Sequence, residues 1–148
     1  MDKIESFYRI SAEYCNYVTE NEINHNSIPF LMELLMKLYI SALNLPDLKP
    51  ETIQISESTI HENICIRINK EIPTTYWEIF NPYIMEEPVC GDLSDDLYDI
   101  LSDLQCGIKE YEHGKIGNAV FEWKFGLNNH WGNHVIDALR ALHFIITQ

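Results

Sequence analysis

Apolar positions in the first twenty residues recur every three or four places. Ile4, Phe7, Tyr8, Ser11, Cys15 and Val18 therefore share one face of a helix, predicted over residues 3–20 and opened by a capping box of Asp2 with Glu5. Tyr14 and Tyr17 flank that stripe and are candidate contacts for an oligomeric scaffold. Residues 21–26 are polar, and Ser27 followed by Pro29 marks the start of a second helix. From 28 to 44 this helix is apolar almost all round, interrupted chiefly by Glu33, Lys37 and Ser41 stacked at i, i+4 and i+8. Such a helix belongs in the middle of a bundle. At about 17 residues with two charges near its centre, it is a poor membrane span.

Two prolines in the stretch 45–50 predict a turn, and residues 51–58 carry no helical stripe. Thr59 with Glu62 resembles a capping box for a short helix through Ile60, Ile64 and Ile68, while Ile64, Ile66 and Ile68 also alternate as a strand would. Residues 76–83, YWEIFNPY, read as an aromatic helical turn closed by Pro82. The most legible helix is 94–112. There Leu93, Leu97, Ile100, Leu101, Leu104, Ile108 and Tyr111 form the apolar stripe, and Asp92, Asp95, Asp96, Asp99 and Asp103 are expected on the opposite face. Helical spacing then runs from Ile116 almost to the end. Gly126 and Gly132 predict a bend or break between two carboxy-terminal helices. The fold class expected is all-α: one domain over residues 1–148, a bundle of five or six helices around the nearly all-apolar second helix.

Charge narrows the choice of partner. With 23 acidic and 10 basic residues the net charge is −13, which argues against nucleic acid or an anionic membrane and leaves a basic protein open. The amino terminus lacks the apolar stretch of a leader, and Cys15, Cys65, Cys90 and Cys106 are too widely spaced for a zinc ribbon or redox motif. A cytoplasmic protein with free thiols is the expectation.

Several chemistries fail on spacing. His61 and Glu62 begin a zinc-protease motif, but Cys65 stands where the second histidine is needed. A phosphate-binding glycine loop and a hydrolase serine elbow are both absent from the sequence. No catalytic residue and no cofactor is assigned. The strongest site-like pattern is HWGNHVID, in which His130, His134 and Asp137 would lie on one face as metal ligands or as a histidine held by a carboxylate. The plainer expectation is half-buried histidines hydrogen-bonded near a helix bend, because the carboxylates of the acidic helix are expected to point away. The second pattern is the run from Glu86 to Asp103, with seven carboxylates and no lysine or arginine. Its aspartates Asp92, Asp95, Asp96, Asp99 and Asp103 are the candidate docking face for a basic partner.

Four stretches, LYISALNLPDL, YWEIFNPY, DLSDDLYDILSDL and FEWKFGLNNHWGNHVIDALRALH, resemble the bacterial family catalogued as domain of unknown function 5063. The resemblance implies a small helical fold with no assigned activity, and its most specific part is 121–143. Residues 51–72 depart from the family pattern. Two functions follow as expectations. The first is an acidic interaction domain for a basic protein, with a toxin-neutralising immunity protein as its sharpest form. The alternative is a metal-binding protein or enzyme using His130, His134 and Asp137.

Overall fold

The computed structural model of the protein describes residues 2–51 and 64–148. Its elements follow in the order α1 (Lys3–Glu20), α2 (Ile28–Leu43), β1 (Thr75–Glu78), β2 (Val89–Asp92), α3 (Leu93–Glu112), α4 (Ile116–Asn129) and α5 (Trp131–Ile146). The chain is mostly helical, but a small antiparallel sheet of β1 and β2 makes it something other than purely all-α. Helix α3 packs on α1, α4, α5 and β2, whereas α2 packs on α1, α4 and α5.

The first helix has the predicted ends, and Ile4, Phe7, Ser11, Cys15 and Val18 are buried as the stripe requires. The expected capping box does not form: Asp2 makes no side-chain cap bond, and Glu5 instead pairs with Arg9 at 2.6 Å. Tyr14 is no surface contact. It is fully buried and donates its hydroxyl to the carbonyl of Leu97 at 2.9 Å, while Tyr17 packs edge-on against Phe30.

Helix α2 buries Ile28, Leu31, Leu34, Leu35, Leu38 and Ala42. Its other side leaves Phe30, Met36, Ile40 and Leu43 exposed, so this apolar helix lies at the flank of the bundle and its uncovered face meets solvent. Apolar composition alone does not distinguish a helix covered on all sides from one with an unpartnered face.

The predicted short helix from Thr59 falls partly on residues 59–63, outside those described; residues 64–69 form no helix. Ile23 and Ile68 form a parallel bridge, with Ile23 N–H donating to Arg67 and Asn69 N–H donating to Ile23, both at 2.8 Å. Residues 75–78, read as part of a helical turn, form β1. The register pairs Thr75 with Asp92, Tyr76 with Gly91, Trp77 with Cys90 and Glu78 with Val89. Tyr76 and Glu78 face inward while Thr75 and Trp77 face out, a period-two pattern too short to register against the aromatic run around it.

Helix α3 begins where expected. Asp92 is its N-cap, the carboxylate accepting from the backbone N–H of Ser94 at 2.8 Å and of Asp95 at 3.4 Å. The predicted break between the last two helices occurs at His130 alone, where φ is −148° and ψ is −86°. Glycine is required on both sides of it. A Cβ on Gly126 would stand 2.5 Å from the Trp131 ring, and one on Gly132 would stand 2.0 Å from the carbonyl oxygen of Leu127. The indole of Trp131 donates to Trp123 at 2.9 Å and that of Trp123 to Leu104 at 3.2 Å, which satisfies both buried rings and ties α5 to α4 and α4 to α3. This break turns His130 and His134 toward the acidic side of α3. Among the described residues, no helix is long and apolar enough to cross a membrane.

Candidate metal centre

Three elements converge on a single carboxylate. Asp96 is buried, and its Oδ1 lies 2.8 Å from Nδ1 of His134 on α5, while its Oδ2 accepts the hydroxyl of Tyr76 from β1. The expectation that Asp96 lies on a solvated face is overturned. At about 100° per residue it is only ~40° from Ile100, at the edge of the apolar stripe rather than opposite to it.

A second pair repeats the first. Nδ1 of His130 lies 2.8 Å from Oδ2 of Asp103, and the two imidazoles meet edge to face with centroids 4.8 Å apart. Each histidine thus has its Nδ1 occupied by a carboxylate of α3, which sets the tautomer and leaves Nε2 as the nitrogen for a ligand. Nε2 of His134 is 3.3 Å from Oδ2 of Asp99, one turn along α3 from Asp96 and Asp95. Asp99, His130 and His134 each offer one ligand atom, and these atoms lie within 4.8 Å of one another. Among the described residues this is the one such group of metal-ligating side chains.

The electrostatics favour a cation. The bond to Asp96, with help from the charge of Asp99, raises the His134 pKa above its ordinary value against the opposing effect of burial. Burial raises the Asp99 carboxyl despite the two histidines beside it. Asp137 does not join the ligand group. Burial, the charges of Glu78 and Asp96, and a hydrogen bond with Glu78 push its carboxyl up to about 6. That bond needs a proton on one of the two carboxyls. Burial and the bond to Asp96 also hold the Tyr76 hydroxyl protonated far above neutral pH. Four carboxyl groups, Asp96, Asp99, Asp103 and Asp137, thus flank the two imidazoles, with Glu78 against Asp137, and the ion pairs of the cluster include no lysine or arginine among the described residues.

Of the predicted metal residues, His130 and His134 come together, Asp99 stands with them, and Asp137 lies against Glu78. Of the predicted docking face, Asp92 caps a helix, Asp96 is buried, Asp99 and Asp103 turn to the histidines, and Asp95 is the exposed member. Tyr76, Glu78 and Gly91 were missed. A Cβ on Gly91 would stand 2.8 Å from Tyr76 Cζ and 2.9 Å from a Glu78 carboxylate oxygen, so this glycine leaves room for both inward side chains.

Fold and site together define a small helical domain with a two-strand cover and a histidine–carboxylate cluster open at one side. The chain belongs to the family described as domain of unknown function DUF5063, whose family model matches residues 1–148. Among solved structures it is similar to the crystal structure of protein BF1032 from Bacteroides fragilis, with a TM-score of 0.76 and 17% identity, covering 100% of this chain and 97% of that one. That likeness extends to the fold. No curated protein matches.

Proposed function

We propose that the protein binds one divalent transition-metal ion through Nε2 of His130, Nε2 of His134 and a carboxylate oxygen of Asp99. The observation that carries this reading is the doubled arrangement of the histidines: each has its Nδ1 anchored by its own aspartate, Nε2 of His134 faces Asp99 at 3.3 Å, and His130 and His134 stand in one group with Asp99. A cation ~2.1 Å from both atoms would see the 3.3 Å between His134 Nε2 and Asp99 Oδ2 under an angle of about 104°, near tetrahedral. Two imidazoles and one carboxylate suit zinc or iron(II) and leave a position for water or a substrate oxygen, the pattern of a reactive rather than a closed structural site. The His130 side chain is 49% exposed and that of Asp99 36%, so a fourth ligand reaches the site from solvent.

Docking of a basic protein, the function that the acidic run suggests, has Asp95 as its one exposed carboxylate of the five. The inward pairing of the others supports a metal ion over a protein as their cation.

Titration of chelator-treated protein with zinc or cobalt(II), read by calorimetry and by the visible cobalt spectrum, tests the metal reading. One ion per chain is expected in the parent. His130→Gln, His134→Gln and Asp99→Asn should each weaken it by at least an order of magnitude, while Asp137→Asn keeps it. A parent that takes up no stoichiometric ion, or variants of both histidines that bind as the parent does, would overturn the assignment.

A further inference from the structure

The outward side of the hairpin carries apolar surface that the bundle does not use. Trp77 is 74% exposed, Phe80 79%, Tyr83 96% and Met85 101%. Ile79 and Ile84 are also more than half exposed. The three rings alone expose about 500 Å², since each presents roughly 150–250 Å² in full. With the aliphatic side chains added, the apolar area exposed along residues 77–85 exceeds the ~300–600 Å² typical of the largest patch on a monomer and approaches the ~800 Å² per partner of a stable complex.

We propose that this hairpin docks a second copy of the chain, hairpin against hairpin, with Trp77, Phe80, Tyr83 and Met85 of each packing on those of the other. The area is one argument. Charge is another: a protein of net charge −13 resists self-association except through an uncharged surface, and residues 79–85, IFNPYIM, contain no Asp, Glu, Lys, Arg or His. Two acids follow, of which Glu86 accepts the N–H of Asn81 at 2.9 Å and Glu87 is exposed. Backbone supplies the third. Among the described residues strands β1 and β2 pair only with each other, so no described strand covers the outer edge of β1. From Thr74 to Asn81 that edge has neither the lysine nor the proline that commonly guards one. A two-stranded sheet is marginal alone and gains from further strands. The inference rests on the hairpin and not on the metal reading, and metal-free protein serves for its test.

Sedimentation equilibrium from about 1 to 100 µM spans the range in which an interface of modest affinity dissociates. The parent should reach twice the chain mass within it. The Phe80→Asp, Tyr83→Asp double variant should stay at the mass of one chain, with an unchanged far-ultraviolet circular dichroism spectrum showing that it folds. Two independent readouts accompany the mass. Backbone amides of Thr75–Glu78 should gain hydrogen-exchange protection with concentration. Acrylamide quenching should fall, because Trp123 and Trp131 are buried and Trp77 is the exposed indole. A parent at single-chain mass throughout would overturn the proposal, and so would a folded double variant that still dimerises. A single-chain parent that sediments with phosphatidylcholine vesicles would assign the hairpin to a lipid surface and overturn the second copy as its occupant.

Discussion

Nδ1 of His134 lies 2.8 Å from Oδ1 of Asp96, a carboxylate almost wholly removed from solvent. The other oxygen of Asp96 accepts the hydroxyl of Tyr76, so α5, α3 and the hairpin meet at one residue. A buried carboxylate needs such partners, and removing them strands a charge.

Asp96→Asn tests that dependence. The amide keeps the shape but has a single carbonyl oxygen to accept with, so one of the two bonds loses its acceptor and unfolding free energy should fall by about 1–3 kcal/mol. Metal affinity should fall about 10–100-fold, as for other partners that orient a ligating histidine. Denaturant unfolding of metal-free protein and competition with a chelator measure the two separately. Wild-type values for both would show that the orientation of His134 does not depend on Asp96.

Stability of the metal-free protein should depend on pH through two groups. The folded pKa of His134 is raised, so its contribution is fully present below the unfolded value of about 6.5 and is lost as pH rises through the folded value. Asp137 is an acid whose folded pKa is raised to about 6, so the folded state is increasingly penalised as pH climbs from about 3.9 through that value. The stability advantage of parent over His134→Gln should therefore be largest below about pH 6.5 and shrink above it. Asp137→Asn should match the parent near pH 4 and exceed it at pH 7–8. Urea midpoints across pH 4–8 read both differences, and flat differences would contradict the assigned environments.

Gly107 of α3 lies against an indole. A Cβ there would stand 2.1 Å from Nε1 of Trp123, the atom that donates to Leu104. Gly107→Ala should cost about 1–3 kcal/mol by overpacking, although alanine is the better helix former by about 1 kcal/mol. A gain in melting temperature would mean that propensity outweighs the clash.

Helix α2 separates burial from hydrophobicity. Leu35 is fully buried and Ile40 is 61% exposed on the same helix. Leu35→Asp should lose several kcal/mol by placing an unpaired charge in the core, whereas Ile40→Asp should change stability by about 0.5 kcal/mol or less. Comparable losses from both would mean that the outer face of α2 is covered in solution.

Local periodicity was enough to place α1, α2 and α3 and to put a break between Gly126 and Gly132, because a helix buries one face and 3.6 residues per turn writes that face into the order of residues. His130 and His134 were expected on one helix face; they do meet, but His130 stands at the break before α5 rather than on the helix. What stood outside its reach were contacts between segments distant in the chain. Strands of four residues have too few alternations to stand out, and β1 becomes a strand only where β2 supplies its hydrogen bonds. Asp96 and Asp99 belong by sequence to a run of acids. It is the placement of α5 and the hairpin beside α3 that buries Asp96, turns Asp99 to His134 and gives Asp137 to Glu78. The sequence by itself determined the helices and the chemical types gathered near them; the tertiary structure decided which carboxylate meets which histidine, because those bonds depend on packing between elements rather than on spacing within one.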